Sequence, residues 1–151
     1  MSESGTPKRI RRAARIILLD PEDRVLLFRF VLEDRPPFWA TVGGECDPHE
    51  SFEDAARREL REETGIDADP GLQVAQQNPE FITPEGEAVR GDERFFRVRV
   101  SNVKISTDGH TALEQRVMQE HRWFTRSELA SWHEYIYPRE LADLIEVDPR
   151  P

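Results

Sequence analysis

The chain has 151 residues, of which 37% are hydrophobic and 34% are charged, and its formal net charge is −9 at pH 7. This length suits one domain around one core, and the negative charge excludes broad binding to a nucleic-acid backbone. The single cysteine excludes an intramolecular disulfide, and no apolar run reaches the length of a membrane span, so we expect a cytoplasmic protein without a membrane partner.

The N-terminal part predicts a short tail followed by paired strands. Residues 1–8 are polar, which predicts a flexible tail before a single domain at 9–151. Apolar, β-prone runs at 11–20 and 24–31 are separated by the turn signal Pro-Glu-Asp. These two runs therefore predict a hairpin or meander.

Two prolines and two glycines mark the next segment. Pro36 and Pro37 predict a loop, because proline lacks the amide hydrogen that regular strand pairing uses. Residues 38–44, Phe-Trp-Ala-Thr-Val-Gly-Gly, predict a short strand that runs into a Gly-Gly turn.

The clearest element is a helix at about 51–64. Ser51 can cap its start with Asp54 three residues on, and Gly65 supplies its stop. The apolar residues of this segment fall on one helical stripe. They are Phe52, Ala55, Ala56 and Leu60.

The rest of the chain predicts short elements that alternate between strand and helix. The segments are strands at 72–77, 94–100 and 121–125, a polar loop at 83–93, a connection at 106–119 with a helical centre, and helices at 127–132 and 138–147. The order of elements is strands, one acidic helix, more strands and two terminal helices. This order predicts an α/β fold, in which a mixed β-sheet is sandwiched between α-helices.

The acidic helix brings Glu59, Glu62 and Glu63 close together. Residues three and four positions apart share one helical face, and like charges at that spacing are destabilising by a few tenths of a kcal/mol. A hard cation such as Mg²⁺ prefers oxygen ligands and commonly bridges carboxylates to phosphates. A solvated face rich in glutamate and arginine is the competing interpretation of the helix alone.

A longer pattern favours the metal interpretation. Gly44 is followed after five residues by Glu50, and after seven more by the run Arg-Glu-Leu-Arg-Glu-Glu-Thr-Gly-Ile at 58–66. This pattern resembles the Nudix box, G-x5-E-x7-R-E-U-x-E-E-x-G-U, at all nine specified positions. The resemblance implies a Nudix fold and Mg²⁺-dependent hydrolysis of a nucleoside diphosphate linked to another group, with Mn²⁺ as a substitute cation.

The resemblance also implies roles for individual residues. Glu59, Glu62 and Glu63 would bind the metal and carry catalysis, and the carbonyl of Gly43 or Gly44 would complete the metal site. One of these carboxylates, or one from another loop, would orient the attacking water. The residues expected to support the box structurally are Gly44, Glu50, Arg58 and Gly65.

Several residues outside the box are further candidates. Glu114 and Glu120 precede the predicted strand at 121–125, where this family often supplies another carboxylate; both also suit an ordinary surface position. The candidates for substrate binding are Arg29, Phe38, Trp39 and Arg94. Arginine suits bidentate contacts with phosphate, whereas the two aromatic residues equally suit the core.

The sequence leaves three functions open. A proline some 15 residues after the box marks many ADP-ribose hydrolases of the family, and Pro79 and Pro84 bracket that distance. ADP-ribose or a nucleotide sugar is therefore slightly preferred over a sanitising role on oxidised nucleoside triphosphates. A non-catalytic nucleotide sensor is the alternative from another class. The expected partner is a small nucleoside diphosphate derivative, and a homodimer remains open.

Overall fold

The computed structural model describes residues 7–101 and 104–146, so most of the predicted tail and Val147 lie outside the described part. Within it the chain forms eight strands and four helices. The strands are β1 (Arg9–Leu19), β2 (Val25–Leu32), β3 (Arg35–Glu45), β4 (Gln73–Gln77), β5 (Glu80–Ile82), β6 (Ala88–Arg99), β7 (Glu120–Phe124) and β8 (Tyr135–Tyr137). The helices are α1 (Phe52–Thr64), α2 (Ala112–Val117), α3 (Arg126–Ser131) and α4 (Leu141–Glu146).

The sheet is mixed and is organised around β1. β1 pairs in parallel with β6 along its whole length, from Arg9 opposite Val89 to Leu19 opposite Arg99. β3 pairs antiparallel with both β1 and β2. β7 pairs antiparallel with β2, and β8 pairs in parallel with β3. β4 and β5 both pair antiparallel with β6, on the side of β6 opposite to β1.

Helices cover both faces of this sheet, as the sequence predicts. On one face, residues of α1 and the end of α2 pack on the apolar side chains of β1, β2 and β3. On the other face, Leu141 and Ile145 of α4 pack with Trp39 and Phe124. The predicted α/β/α architecture is confirmed. None of the helices in the described residues is both long and apolar enough to cross a membrane.

The helix α1 begins and ends where its capping residues predict. The Ser51 side chain accepts a hydrogen bond from the Asp54 N–H at 3.0 Å. Gly65 has a left-handed φ of 79°, and its N–H donates to the Arg61 carbonyl. Because glycine adopts this conformation without a Cβ clash, the helix stops there and the observed bounds match the predicted ones.

The predicted proline loop is wrong. β3 already begins at Arg35, which lies opposite Leu32 of β2, so Pro36 and Pro37 belong to the strand. The register shifts between this pair and the next one, Phe30 opposite Phe38. Proline is tolerated at such an irregularity, because its missing N–H is not required for the ladder.

The predicted Gly-Gly turn is also wrong, because Gly43 and Gly44 continue β3 and pair with β1. Both glycines are instead sites of close approach. A Cβ on Gly43 (φ 141°) would lie 2.1 Å from the Ala14 carbonyl oxygen, and one on Gly44 would lie 2.4 Å from Oε2 of Glu59. The two glycines predict a change of chain direction, whereas in the structure they mark close packing of Gly43 against β1 and of Gly44 against α1.

Three further differences concern the second half of the chain. The predicted loop at 83–93 is confined to a turn at 83–87, because β6 begins at Ala88 and pairs with β5 as a hairpin. The three-residue strands β5 and β8 were not predicted. Because β8 and a following turn occupy 135–140, the last helix begins at Leu141 and not at 138.

Candidate metal centre

Three carboxylates from two helices meet on the face of the sheet covered by α1. Glu59 and Glu63 lie on the inner side of α1 and are 7% and 2% exposed. Glu114 lies on the first turn of α2. One carboxylate oxygen from each of the three residues lies within 4.8 Å of the others. Two of the predicted metal-binding residues and one of the two candidate further carboxylates are therefore brought together.

The backbone of β3 and Arg58 hold the two α1 carboxylates in place. The Gly43 N–H donates to Oε1 of Glu63 at 2.9 Å. The absence of a side chain on Gly44 leaves room for the carboxylate of Glu59. Arg58 donates to Oε1 of Glu59 at 2.7 Å. Both carboxylates keep oxygen atoms available to the cluster.

The third carboxylate is fixed by a capping box at the start of α2. The Glu114 N–H donates to the Thr111 hydroxyl at 3.1 Å. In return, Oε1 of Glu114 accepts a hydrogen bond from the Thr111 N–H at 2.9 Å. This reciprocal arrangement satisfies two backbone donors and also orients the carboxylate that faces Glu63.

Burial and mutual repulsion raise the pKa values of Glu59 and Glu63. Burial raises the pKa of Glu59 to about 7, against the opposing effect of Arg58. Burial, the charge of Glu59 and a side-chain hydrogen bond with Glu114 raise the pKa of Glu63 well above its usual range. Buried like charges need a compensating cation or protons. Oxygen ligands grouped in this way match the preference of hard divalent ions such as Mg²⁺.

Arg58 also ties the loop between β3 and α1 to the helix. Its Nε and Nη2 donate to the two carboxylate oxygens of Glu50, both at 2.9 Å. Its Nη2 further donates to the Glu45 carbonyl, and its Nη1 donates to Glu62 at 3.0 Å. The structure thus places Glu50 and Arg58 as a bidentate pair. The Glu62 side chain is 41% exposed and does not belong to the three-carboxylate cluster.

Glu120, the other candidate carboxylate, does not belong to the cluster. It is on β7 opposite Arg29 of β2, its side chain is 58% exposed, and its oxygen is 3.7 Å from Nη1 of Arg29. The structure therefore distinguishes two residues that the sequence left equivalent.

The candidate substrate residues are engaged with other parts of the protein. Arg29 donates to both carboxylate oxygens of Glu134, at 2.9 and 2.7 Å. Trp39 is buried and donates from Nε1 to the same carboxylate at 2.7 Å. We call these three residues, Arg29, Trp39 and Glu134, the Arg29–Glu134 bridge.

Phe38 and Arg94 lie outside that bridge. The rings of Phe38 and Phe30 stack with centroids 5.1 Å apart. Arg94 donates to both oxygens of Asp92 and lies over the ring of Phe52 at 4.3 Å. The half-buried Phe38 ring is thus packed on one face, and Arg94 already has an anionic partner.

Two residues near these groups were not predicted from the sequence. His110 is 7% exposed, and its Nε2 lies 2.9 Å from the carbonyl oxygen of Glu63. Glu134 accepts the hydrogen bonds of the bridge. The sequence does contain one usable signal, because Thr111 and Glu114 have capping-box spacing that predicts the start and orientation of α2. Neither His110 nor Glu134 belongs to a motif.

Comparison with known protein families finds one family model that matches most of the chain. The family model described as the NUDIX domain matches residues 9–144. A protein of Bacillus subtilis (strain 168) that is provisionally named 8-oxo-dGTP diphosphatase is 38% identical over 71 residues. This alignment covers 46% of the present chain and 46% of the relative, so the match spans about half of each.

Solved structures show the same fold over nearly the whole chain. The MutT protein from Methanosarcina mazei Go1 matches with a TM-score of 0.66 at 23% identity, covering 94% of both chains. The NUDIX domain of Shewanella oneidensis NrtR, in a structure complexed with ADP ribose, matches with a TM-score of 0.63 at 18% identity, covering 92% of this chain and 86% of that one.

Proposed function

The chain belongs to the NUDIX family, and from this we propose that it hydrolyses a diphosphate bond in a nucleoside diphosphate derivative with the help of a divalent cation. The observation that carries the proposal is the group formed by Glu59, Glu63 and Glu114, whose oxygens lie within 4.8 Å of one another. Such a group of ionised carboxylates is unfavourable unless a cation or protons compensate its charge, and a cation would also reduce the repulsion between an acidic protein and a phosphorylated substrate.

The three carboxylates are the residues that would hold the metal. Their oxygen atoms suit Mg²⁺, with Mn²⁺ as a substitute. A bound divalent cation supplies a water of lowered pKa and neutralises phosphate charge. Glu62, whose side chain is 41% exposed, accepts a hydrogen bond from Arg58 at 3.0 Å and shares this donor with Glu59, so it adds negative charge next to the cluster.

The chain contributes positioning more than covalent chemistry. Phosphoryl transfer depends chiefly on orientation and charge stabilisation. Arg58 holds Glu50, Glu59 and Glu62 in one network, and the Gly43 N–H fixes Glu63. These contacts keep the acidic groups in one arrangement before the substrate arrives.

Two substrate classes have support, and we place oxidised nucleoside triphosphates first. The relative that is 38% identical over 71 residues is named for that activity. ADP-ribose and nucleotide sugars are second, since the ADP-ribose complex concerns a domain only 18% identical. The proline cue for ADP-ribose is weakened, because Pro79 packs against Gly91 and its carbonyl accepts the Gly91 N–H at 2.6 Å. That proline has a structural role in the β5–β6 hairpin.

A substrate panel tests this proposal. The purified protein is incubated with oxidised and ordinary nucleoside triphosphates, ADP-ribose, nucleotide sugars and dinucleoside polyphosphates, in Mg²⁺ and in EDTA. We expect one class to be hydrolysed strongly, and only with the cation. Ligand binding without product in Mg²⁺, measured by thermal shift on the same compounds, would replace the hydrolase with a nucleotide sensor.

A further inference from the structure

The segment 106–111, which precedes α2, lies directly against the last turn of α1. The Ser106 N–H donates to the Thr64 carbonyl at 2.9 Å. A Cβ on Gly109 would lie 2.6 Å from the carbonyl oxygen of Glu62, so this approach is possible only without a side chain. The two backbones are therefore held closer than ordinary side-chain packing allows.

His110 adds a buried hydrogen bond to this contact. Its Nε2 lies 2.9 Å from the carbonyl oxygen of Glu63. A carbonyl oxygen can only accept, so Nε2 must carry the hydrogen. The last carbonyls of a helix have no partner within the helix. His110 therefore satisfies one of them, and that carbonyl belongs to a residue whose side chain is in the candidate metal centre.

The same histidine is joined to the start of α2. Its backbone carbonyl accepts a hydrogen bond from the side chain of Gln115 at 3.3 Å. The next residue, Thr111, forms the capping box with Glu114. A short, hydrogen-bonded path thus runs from the carbonyl of Glu63, through His110 and Thr111, to the carboxylate of Glu114.

A second histidine provides a natural control. The rings of His110 and His121 both contact Phe28, with centroid separations of 5.4 and 5.6 Å. The bond to the Glu63 carbonyl belongs to His110. Replacing each histidine by phenylalanine removes the ring nitrogens in both cases, but it removes this link to α1 in one case only.

We propose that His110 is a positioning residue, which holds the segment 106–111 on α1 and so sets the distance of Glu114 from Glu59 and Glu63. This inference rests on the proposed function, since it concerns affinity for the cation of that site. His110 acts through Glu114 and has no chemical step of its own. Partners that orient metal ligands from outside typically change metal affinity by about 10–100-fold when they are removed.

The test measures Mn²⁺ binding to the free protein, from the loss of the free-ion electron paramagnetic resonance signal, without any substrate. We expect His110→Phe to weaken Mn²⁺ affinity by about tenfold, and His121→Phe to leave it within about twofold. His110→Gln, which restores an amide N–H of similar reach, should recover most of the affinity. An equal loss in the two phenylalanine variants would overturn the proposal.

A double-mutant cycle with Glu114→Gln isolates the route of the effect. If His110 acts by placing Glu114, then His110→Phe should change Mn²⁺ affinity little once that carboxylate is gone. Fully additive losses would show that His110 acts elsewhere and would overturn the proposal. Tight Mn²⁺ binding that is equal in wild type and His110→Phe would reject the positioning role alone, whereas no binding in wild type would reject the metal centre as well.

Discussion

The candidate metal centre and the Arg29–Glu134 bridge both concentrate charge on the same sheet, but they do so in opposite ways. In the centre, Glu59, Glu63 and Glu114 converge with like charge. In the bridge, Glu134 receives two hydrogen bonds from Arg29 and one from Trp39. The candidate metal centre lacks enough positive charge of its own to balance its carboxylates. In the bridge, Arg29 balances the charge of Glu134.

The pKa values express this difference. Burial raises the pKa of Glu59 to about 7, whereas the hydrogen bonds from Arg29 lower the pKa of Glu134 to about 2. A carboxylate that the fold neutralises contributes to stability, and one that the fold leaves in need of a cation is available for binding. The comparison therefore separates an acidic residue with a structural role from the candidate metal-binding ones without reference to a motif.

The largest expected effect is on turnover, and it would separate the two regions most clearly. Glu63→Gln should lower kcat/KM for the preferred substrate by about a thousandfold, since loss of a metal ligand costs several kcal/mol in the transition state. The glutamine oxygen can still accept the Gly43 N–H, so the fold should persist. Steady-state kinetics in Mg²⁺ provide the measurement.

The matched control for this prediction is Glu53→Gln, an exposed carboxylate on the same helix. Its turnover should stay within about twofold of wild type, as expected for a surface substitution. Equal activity in Glu63→Gln and Glu53→Gln would contradict a special role for the buried glutamate.

A smaller effect is expected on the pH dependence of stability in EDTA. The pKa of Glu59 is raised from 4.5 to about 7 in the folded protein, so the folded state binds more protons than the unfolded state between these values. Stability should therefore fall as pH rises through this window, by on the order of 2 kcal/mol. Urea unfolding at pH 5 and pH 7.5 measures the change.

Glu59→Gln identifies the source of that slope. The variant cannot titrate at this position, so its stability should depend less steeply on pH than that of wild type. Added Mg²⁺ should also stabilise wild type most at the higher pH, where the carboxylates bind metal without first losing protons. A variant with the wild-type slope would place the titration elsewhere.

The smallest expected effect concerns the bridge. Glu134→Gln should lower the free energy of unfolding at pH 7 by about 1 kcal/mol, because charge-assisted hydrogen bonds become neutral ones at a partly exposed site. The lowered pKa means that this contribution is present above about pH 4.5 and is lost as pH falls through about 2. Urea unfolding of wild type and variant at pH 7 and pH 3 would reveal the convergence, and a constant difference would argue against it.

The sequence predicted the helix of the centre well because its signals are local. Ser51 and Gly65 fix the ends of α1 through bonds within four residues. The box spacing pointed to Glu59, Glu62 and Glu63, and the structure brings Glu59 and Glu63 into the three-carboxylate cluster. The errors arose where the cause is distant. Gly44 is small because Glu59, fifteen positions later in the chain, needs the space.

The remaining differences have the same origin. Glu114 and Glu120 are equal candidates for a further carboxylate in the sequence, and only the path of the chain decides which one approaches α1. His110 bonds to a backbone carbonyl, which every residue possesses, so no partner side chain could reveal it. The strands β5 and β8 form because they pair with β6 and β3. The intrinsic strand propensity of three residues is too weak a signal to predict them from the sequence.

The parallel pairing of β1 with β6 has a consequence for the order of assembly. β1 pairs with residues about 80 positions later in the chain, since Arg9 lies opposite Val89. This pairing can form only after the intervening segment has closed into a loop. Closing so long a loop is entropically costly, and pairings between distant segments slow folding. We therefore expect refolding on the order of milliseconds to seconds, with local elements such as α1 forming before the central ladder closes. During synthesis, β1 would remain without its longest partner until most of the chain had left the ribosome.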